Sequence, residues 1–440
     1  MTTSTVYPGG MSRESIGVGL LGCGIVGSGA ARHLLTEADA VARAVGVPVE
    51  IRRVAVRNLA KKRGVDLDPS LFTHSVDEVV EDPSIDVVVE VIGGIEPARS
   101  SILKAIELGK PVVSANKELL STLGAELFQK ADANNVDLFF EAAVCGGIPL
   151  IRPLKESLAG EGIKQIIGIV NGTTNFILTR MSEGGVSFSE ALAEAEQLGY
   201  AEEDPTADIE GFDAAAKAAI LASVAFRSRV VAGQVYREGI SQVTHRDIEY
   251  AQRLGYTIKL VAIAEEIDNE IAVRVHPAML PNAHPLASVR DSFNAVFVEG
   301  DSVGSLMFYG RGAGSDPTGS AVVGDIVAAA RNLRTGGRSL GCTCYFDKRV
   351  LPIDEMESQY YMLLSVADRP GVLAQVASAF GDHEISIRSV WQEGFADEAQ
   401  LVLVTHRGSE ANLQATVDDL GRLDSVTKVV SVLRVEGEEE

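Results

Sequence analysis

Ile16-Gly17-Val18-Gly19-Leu20-Leu21 runs straight into Gly22-Cys23-Gly24-Ile25-Val26-Gly27, and Ser28 to Leu35 continues with a helical pattern. An apolar strand, a G-x-G-x-x-G turn and a helix, in that order, are the context a dinucleotide fingerprint requires. Gly22 and Gly24 let the backbone turn tightly and approach a pyrophosphate. Gly27 lets the helix sit close to the strand, and the helix start at Ile25 and Val26 offers N–H donors and a positive dipole end. A strand–helix turn with no ligand would carry the same six residues, so the reading rests on the pattern of the next hundred residues.

Apolar, strand-like runs recur at 49–56, 86–92, 111–115 and 137–142, with helical patterns at 98–108 and 118–133 between them. This alternation predicts βαβ units and a Rossmann-type, doubly wound parallel sheet over residues 16–142, an α/β fold. Ligands of such sheets sit outside the carboxyl ends of the strands, where Gly93-Gly94 and Ser114-Ala115-Asn116-Lys117 stand. The second strand ends in Arg57-Asn58, with no acid to hold a ribose hydroxyl. A guanidinium there, with Lys61 and Lys62 one turn on, suits a 2′-phosphate and favours NADP, with NAD the alternative. A solvated basic turn is the plainer reading of the same residues. The reach from Gly27 to Arg57 is long and predicts an added turn or a lengthened helix around 39–47.

Composition narrows the class. The chain has 440 residues, room for about three domains. Its 39 basic and 61 acidic residues leave a net charge of −22, which disfavours nucleic acid and anionic membrane surfaces as partners. Four cysteines without a C-x-x-C pair make no disulfide framework, so a reduced, cytoplasmic setting is expected. Residues 1–15 lack the apolar stretch of a signal peptide and are expected to be a disordered tail. No run of about 18 apolar residues suggests a membrane span.

From Glu141 the texture changes. Glu141-Ala142-Ala143-Val144-Cys145-Gly146-Gly147-Ile148-Pro149 reads as the exit from the sheet into a second, α+β domain at 143–335. A strand at 166–170 leads into Asn171-Gly172-Thr173-Thr174-Asn175, a helix start presenting hydroxyls and N–H groups, or simply a helix cap. The densest cluster runs from Gly199 to Lys217. Asp213 and Lys217, four apart, share a helix face. An exposed ion pair is the usual account of such spacing, worth a few tenths of a kcal/mol. Here, however, Ala214 to Phe226 reads AAAKAAILASVAF, with Lys217 its one charge, so the helix is expected to be buried. A buried ammonium costs several kcal/mol unless paired. It is therefore a candidate proton donor or acceptor, with a structural buried pair as the alternative. Glu202, Asp204 and Asp208 would suit a substrate bearing an ammonium group. Arg311-Gly312-Ala313-Gly314-Ser315 before a helix at 318–331 is a second glycine turn, set against the cofactor or serving as a hinge.

Residues 336–357 are glycine-rich and irregular, a linker. Beyond them the order strand (360–366), helix (372–380), strand (385–392), strand (399–405), helix (410–423), strand (426–435) is βαββαβ, a ferredoxin-like unit over 358–436. The final Glu436 to Glu440 reads as a solubilising end.

Gly199 to Lys217 satisfies G-Y-x-E-x-D-P-x-x-D-[IV]-x-G-x-D-x-x-x-K and resembles the signature of homoserine dehydrogenases. It follows the glycine turn, Ser114-Ala115-Asn116-Lys117 and Asn171-Gly172-Thr173-Thr174 in that family's order. The last unit resembles an ACT domain, with Asp368-Arg369-Pro370-Gly371 after its first strand. The resemblance implies reversible reduction of L-aspartate 4-semialdehyde to L-homoserine by NAD(P)H. It implies that Lys217 gives a proton to the carbonyl oxygen, that Asp213 holds the substrate hydroxyl and that Glu202, Asp208 and Thr173 bind substrate. Lys117 would serve both substrate and nicotinamide, and Gly314 the cofactor. It also implies a structural Na+ on the carbonyls of Glu141, Val144, Gly146 and Ile148, an effector (threonine by family analogy) at the turn of Asp368 and Gly371, and a homodimer or homotetramer. A cut near Ser358 would then remove threonine control and leave activity. Two rivals stand beside this: a phosphorylating semialdehyde dehydrogenase with Cys145 as nucleophile, and a non-catalytic amino-acid sensor.

Overall fold

The computed structural model describes residues 14–395 and 398–437. Most of the expected N-terminal tail, residues 1–13, lies outside the described residues, as do Glu438 to Glu440. Two compact units form, neither continuous in sequence. One holds the chain up to Lys164 with Ala219–Gly233 and Glu299–Lys348; the other holds Gln165–Ala218, Gln234–Val298 and the chain from Arg349 on.

The first unit is built on a six-stranded parallel sheet: β1 (Ile16–Leu21), β2 (Val49–Ala55), β3 (Phe72–Thr73), β4 (Val87–Glu90), β5 (Val112–Ser114) and β6 (Leu138–Phe139). Their order is β3-β2-β1-β4-β5-β6, which puts the reversal of winding between β1 and β4. Every residue of β1 is buried, the pattern of a central parallel strand covered on both faces. Gly19 is needed there because a Cβ would stand 2.6 Å from Val79 Cγ1. The glycine turn leads into helix Ile25–Thr36, and the long reach to Arg57 resolves as a separate helix, Ala38–Val45, closed by left-handed Gly46. The sequence reading missed β3 and the short helix Val76–Val80 after it. Val322, Ile326, Ala329 and Ala330, from helix Ser315–Thr335, complete the core with β1, β2 and β4 residues. A segment nearly three hundred residues downstream thus fills the sheet's face.

In the second unit the strand order is Phe293–Gly300, Ile163–Ile169, Tyr256–Ile267, Glu270–Pro281, Val426–Val435, Glu357–Ala367, Glu398–Thr405 and Ile387–Phe395. The last four, with helices Val372–Asp382 and Glu410–Leu420, are the expected βαββαβ unit, and its own core gathers Tyr360, Leu364, Val376, Phe380, Leu403 and Leu413. Its final strand joins the preceding domain's sheet through parallel pairs Ala278–Arg434 and Met279–Val435. Glu436 is therefore no solubilising end. It is 7% exposed and accepts hydrogen bonds from Arg274, itself 1% exposed, at 3.0 and 3.2 Å.

Candidate active site

In the first unit the glycine turn is tight on one side and open on the other. A Cβ on Gly22 (φ +102°) would stand 2.7 Å from Val91 O, whereas one on Gly24 would meet nothing within 4 Å. Gly24 caps the helix, and Ile25 beyond it is 73% exposed. An open helix N-terminus over the carboxyl ends of β1 and β4 fits a dinucleotide pyrophosphate. Ser315 Oγ donates to Ile25 O at 3.0 Å and accepts from Arg32 at 3.0 Å, which sets the Gly314 turn (φ +125°) beside the first one. Arg57 is exposed just past the end of β2. The loop after it is held by Arg63, which donates to Lys61 O (2.7 Å) and Asn58 O (2.5 Å) and stacks on Phe72. Lys117 is the half-buried first residue of helix Lys117–Ala133, whose cap Asn116 also donates to Gly94 O at 2.7 Å. The sequence reading overlooked Glu90. This buried carboxylate accepts from Ile92 N (2.9 Å), Gly93 N (3.2 Å) and Ser114 Oγ (2.7 Å), joining both strand ends, and burial raises its pKa.

The crossing after β6 is knotted by two acids. Glu141 accepts the backbone N–H groups of Leu150, Ile151 and Arg152 at 2.6, 2.7 and 2.9 Å. Asp325 accepts from Glu141 N at 2.8 Å and from Arg152 at 2.5 Å. Burial pushes Asp325 up to about 7, against the pull of Arg152. In this crossing Ala143 N donates to Phe140 O (3.0 Å), Ile148 N to Cys145 O (2.8 Å) and Gly147 N to Arg311 O (3.1 Å). Cys145 is fully buried, so the thiol-nucleophile rival has no accessible sulfur.

The second unit holds the signature. Helix Phe212–Ala225 is buried along most of its length, as its alanines require. Lys217 is 8% and Asp213 7% exposed. Lys217 Nζ donates to Asp213 Oδ2 and to Val170 O, both at 2.7 Å. Asn171, at the end of the strand Ile163–Ile169, completes the array. Its Nδ2 donates to Asp213 Oδ2 (2.9 Å) and Asp208 Oδ1 (2.7 Å), while its Oδ1 accepts from Thr174 N (2.9 Å) and caps helix Gly172–Gly184. Burial first, then neighbouring Asp213, raises the pKa of Asp208. The sequence reading saw Asn171 only as part of a helix start; an amide ending a buried strand was the available signal.

The other acids divide. Glu202 is exposed. Asp204 accepts from Thr206 N at 3.1 Å at the start of the short helix Thr206–Ile209 instead of joining the array, and hydrogen bonds from the Thr206 side chain and N–H lower its pKa. Thr173 Oγ1 donates to Tyr200 O at 2.7 Å, tying the signature's glycine turn to the helix. In the C-terminal unit, Asp368 and Gly371 stand exposed at the start of helix Val372–Asp382. Among the described residues no helix is long and apolar enough to cross a membrane.

Family models described as homoserine dehydrogenase, NAD binding domain, as homoserine dehydrogenase and as ACT domain match residues 22–141, 149–327 and 360–425. The Mycobacterium tuberculosis homoserine dehydrogenase is 50% identical over 435 residues, covering 96% of this chain and 98% of that protein. The crystal structure of a homoserine dehydrogenase from Thiobacillus denitrificans superposes with a TM-score of 0.90 at 42% identity, covering 96% of this chain and 98% of that one. A hyperthermophilic archaeal homoserine dehydrogenase in complex with NADPH matches with a TM-score of 0.61 at 30% identity, over 72% of this chain and 97% of that one. A dinucleotide-binding sheet, a buried lysine–carboxylate array and a C-terminal ACT unit thus coincide with matches along nearly the whole length: the chain belongs to the homoserine dehydrogenase family.

Proposed function

We propose that the chain interconverts L-aspartate 4-semialdehyde and L-homoserine with NADP(H) in preference to NAD(H), and that L-threonine bound at the ACT unit regulates it. The observation that carries this reading is the buried array Lys217–Asp213–Asn171–Asp208. Lys217 holds a proton at Nζ between a carboxylate and a carbonyl, out of bulk water, and can give it to a substrate oxygen or take it back. Asp213 and Val170 O fix where that ammonium stands. Two carboxylates, Asp208 and Asp213, face one cation in Lys217, so the array favours a second cation. A substrate α-ammonium would supply it, with Glu202 adding negative charge and Thr173 steadying the turn. Asp213 would also hold the substrate hydroxyl. The nicotinamide, when bound, supplies hydride in one direction and takes it in the other.

Gly22, Gly24, Gly27 and the helix start at Ile25 and Val26 would hold the pyrophosphate, Gly314 would flank it, Arg57 would take the 2′-phosphate and Lys117 the nicotinamide side. The archaeal relative's NADPH complex supports the NADP preference. The carbonyls of Glu141, Val144, Gly146 and Ile148 would order the crossing around Na+ without reacting. The effector would sit at Asp368 and Gly371, in a cytoplasmic dimer or tetramer.

The test is steady-state turnover of homoserine with each nucleotide, with and without threonine. Lys217→Ala is expected to lower turnover by roughly two to four orders of magnitude with nucleotide affinity little changed; near-normal turnover would defeat the reading. Arg57→Ala should weaken NADP more than NAD.

A further inference from the structure

Two of the four cysteines have no part in the chemistry proposed for the chain. Cys342 and Cys344 sit in the irregular segment following helix Ser315–Thr335; Cys344 is exposed and Cys342 partly so, whereas Cys23 and Cys145 are buried. The segment is pinned in place. Asp132 accepts from Cys342 N (3.3 Å) and from Arg338 (2.5 Å), and Asp137 accepts from Ser339 N (3.0 Å). The Cys342 and Cys344 thiols interact with each other and line one cavity, and the Cys344 S–H also lies 3.9 Å from Ser223 O. Residues two apart fall within the span a disulfide tolerates where the chain turns, and Tyr345 N donates to Thr343 O (2.9 Å) in a tight turn centred on Cys344.

Beside the pair opens a cavity of about 490 Å³, lined by Phe128, Phe140, Ile220 and Val224 as well as both cysteines. Lys155 reaches into its wall. Its Nζ donates to Gly341 O at 2.7 Å, next in sequence to Cys342, and lies 5.4 Å from the Phe140 ring and 6.0 Å from that of Phe128. An ammonium on an apolar wall favours an anion nearby. Hydrogen bonds from Cys344 lower the Cys342 thiol to about 6, with Lys155 helping, while giving up that proton bond pushes the Cys344 thiol up. Thiolate character with access is what makes a cysteine reactive.

We infer that Cys342 and Cys344 form a redox-active dithiol that small organic disulfides convert into an intramolecular disulfide. The Cys342 thiolate attacks one sulfur of R–S–S–R; the other sulfur leaves as a thiolate and takes a proton from water. Cys344 then loses its proton to solvent, attacks the Cys342 sulfur of the mixed disulfide and expels the second R–S⁻. The chain loses two hydrogens and the small disulfide is reduced to two thiols.

The full-length protein is incubated with oxidised glutathione, alkylated and mapped by mass spectrometry. The peptide carrying both cysteines is expected to lose two hydrogens and resist alkylation until reduced. Cys344→Ser should stop at a glutathione adduct on Cys342, and Lys155→Met should slow alkylation of Cys342 at neutral pH by roughly tenfold. Full alkylation of both thiols after incubation, no adduct in Cys344→Ser, or alkylation as fast in Lys155→Met would overturn the inference. Unreacted Cys23 and Cys145 report that the fold is intact.

Discussion

Asn171 shows how much one amide can organise. Its two N–H groups join Asp208 to Asp213, and its oxygen caps a helix. Asn171→Ala removes a cap worth about 0.5–2 kcal/mol and leaves two neighbouring carboxylates without their shared donor. Asn171→Asp keeps a capping oxygen but adds a third negative charge. Both variants are expected to lose turnover more than tenfold, with the melting temperature of Asn171→Asp closer to that of the parent. Parent-like turnover in either would mean that the amide does not position the array. Lys217 itself was legible, because one charge among alanines on a helix must be buried and paired. Asp204 and Glu202 were not separable from Asp208 by spacing: which of several nearby acids turns inward depends on the local turn, and Asp204 spends its oxygen on Thr206 N.

At the scale of elements, helix Ser315–Thr335 does the most that its sequence does not announce. It packs on helix Ile25–Thr36 through glycines on both sides, since a Cβ on Gly319 would stand 2.6 Å from the Gly29 carbonyl carbon. Gly319→Ala is expected to cost about 1–3 kcal/mol in chemical denaturation, and an unchanged midpoint would count against so close a contact. The same helix carries Asp325. The folded chain holds that proton to about pH 7, whereas an ordinary aspartate releases it near 3.8. Between those values the folded state binds more protons, so this group's contribution to stability falls as pH rises. Asp325→Asn has no such titration. Melting temperatures measured across that window should show the parent losing ground to the variant as pH rises; a constant difference would contradict the assignment.

Over the whole molecule, the ACT unit is not a detachable appendage. Its last strand pairs with Glu270–Pro281, and Glu436 neutralises buried Arg274 alongside Glu265. Burial alone would raise the Glu436 carboxyl, but Arg274 and nearby His276 bring it down to about 2. Glu436→Gln is expected to cost about 3–5 kcal/mol at neutral pH, as breaking a buried pair does. That advantage of the parent should persist above pH 4.5 and vanish as pH falls toward 2, where the native carboxylate is protonated too; a difference that survives at pH 2 would place the loss in packing. For the same reason a cut near Ser358 strips a strand and a counter-ion from the preceding domain. Substitutions at Asp368 or Gly371 therefore test effector control more cleanly.

The sequence alone determined the dinucleotide turn, the alternating parallel sheet, the buried lysine–aspartate pair and the βαββαβ unit. Each rests on residues close together in the chain, where periodicity, glycine placement and a lone charge in an apolar run dictate local conformation. Tertiary structure alone decided the rest: that Asn171 and Asp208 join Lys217, that Asp325 locks Glu141 and Arg152, that a late helix completes an early core, and that Glu436 is buried against Arg274. Those partners lie tens to hundreds of residues apart. A side chain's own sequence neighbourhood records its polarity but not which distant group folding will bring to satisfy it.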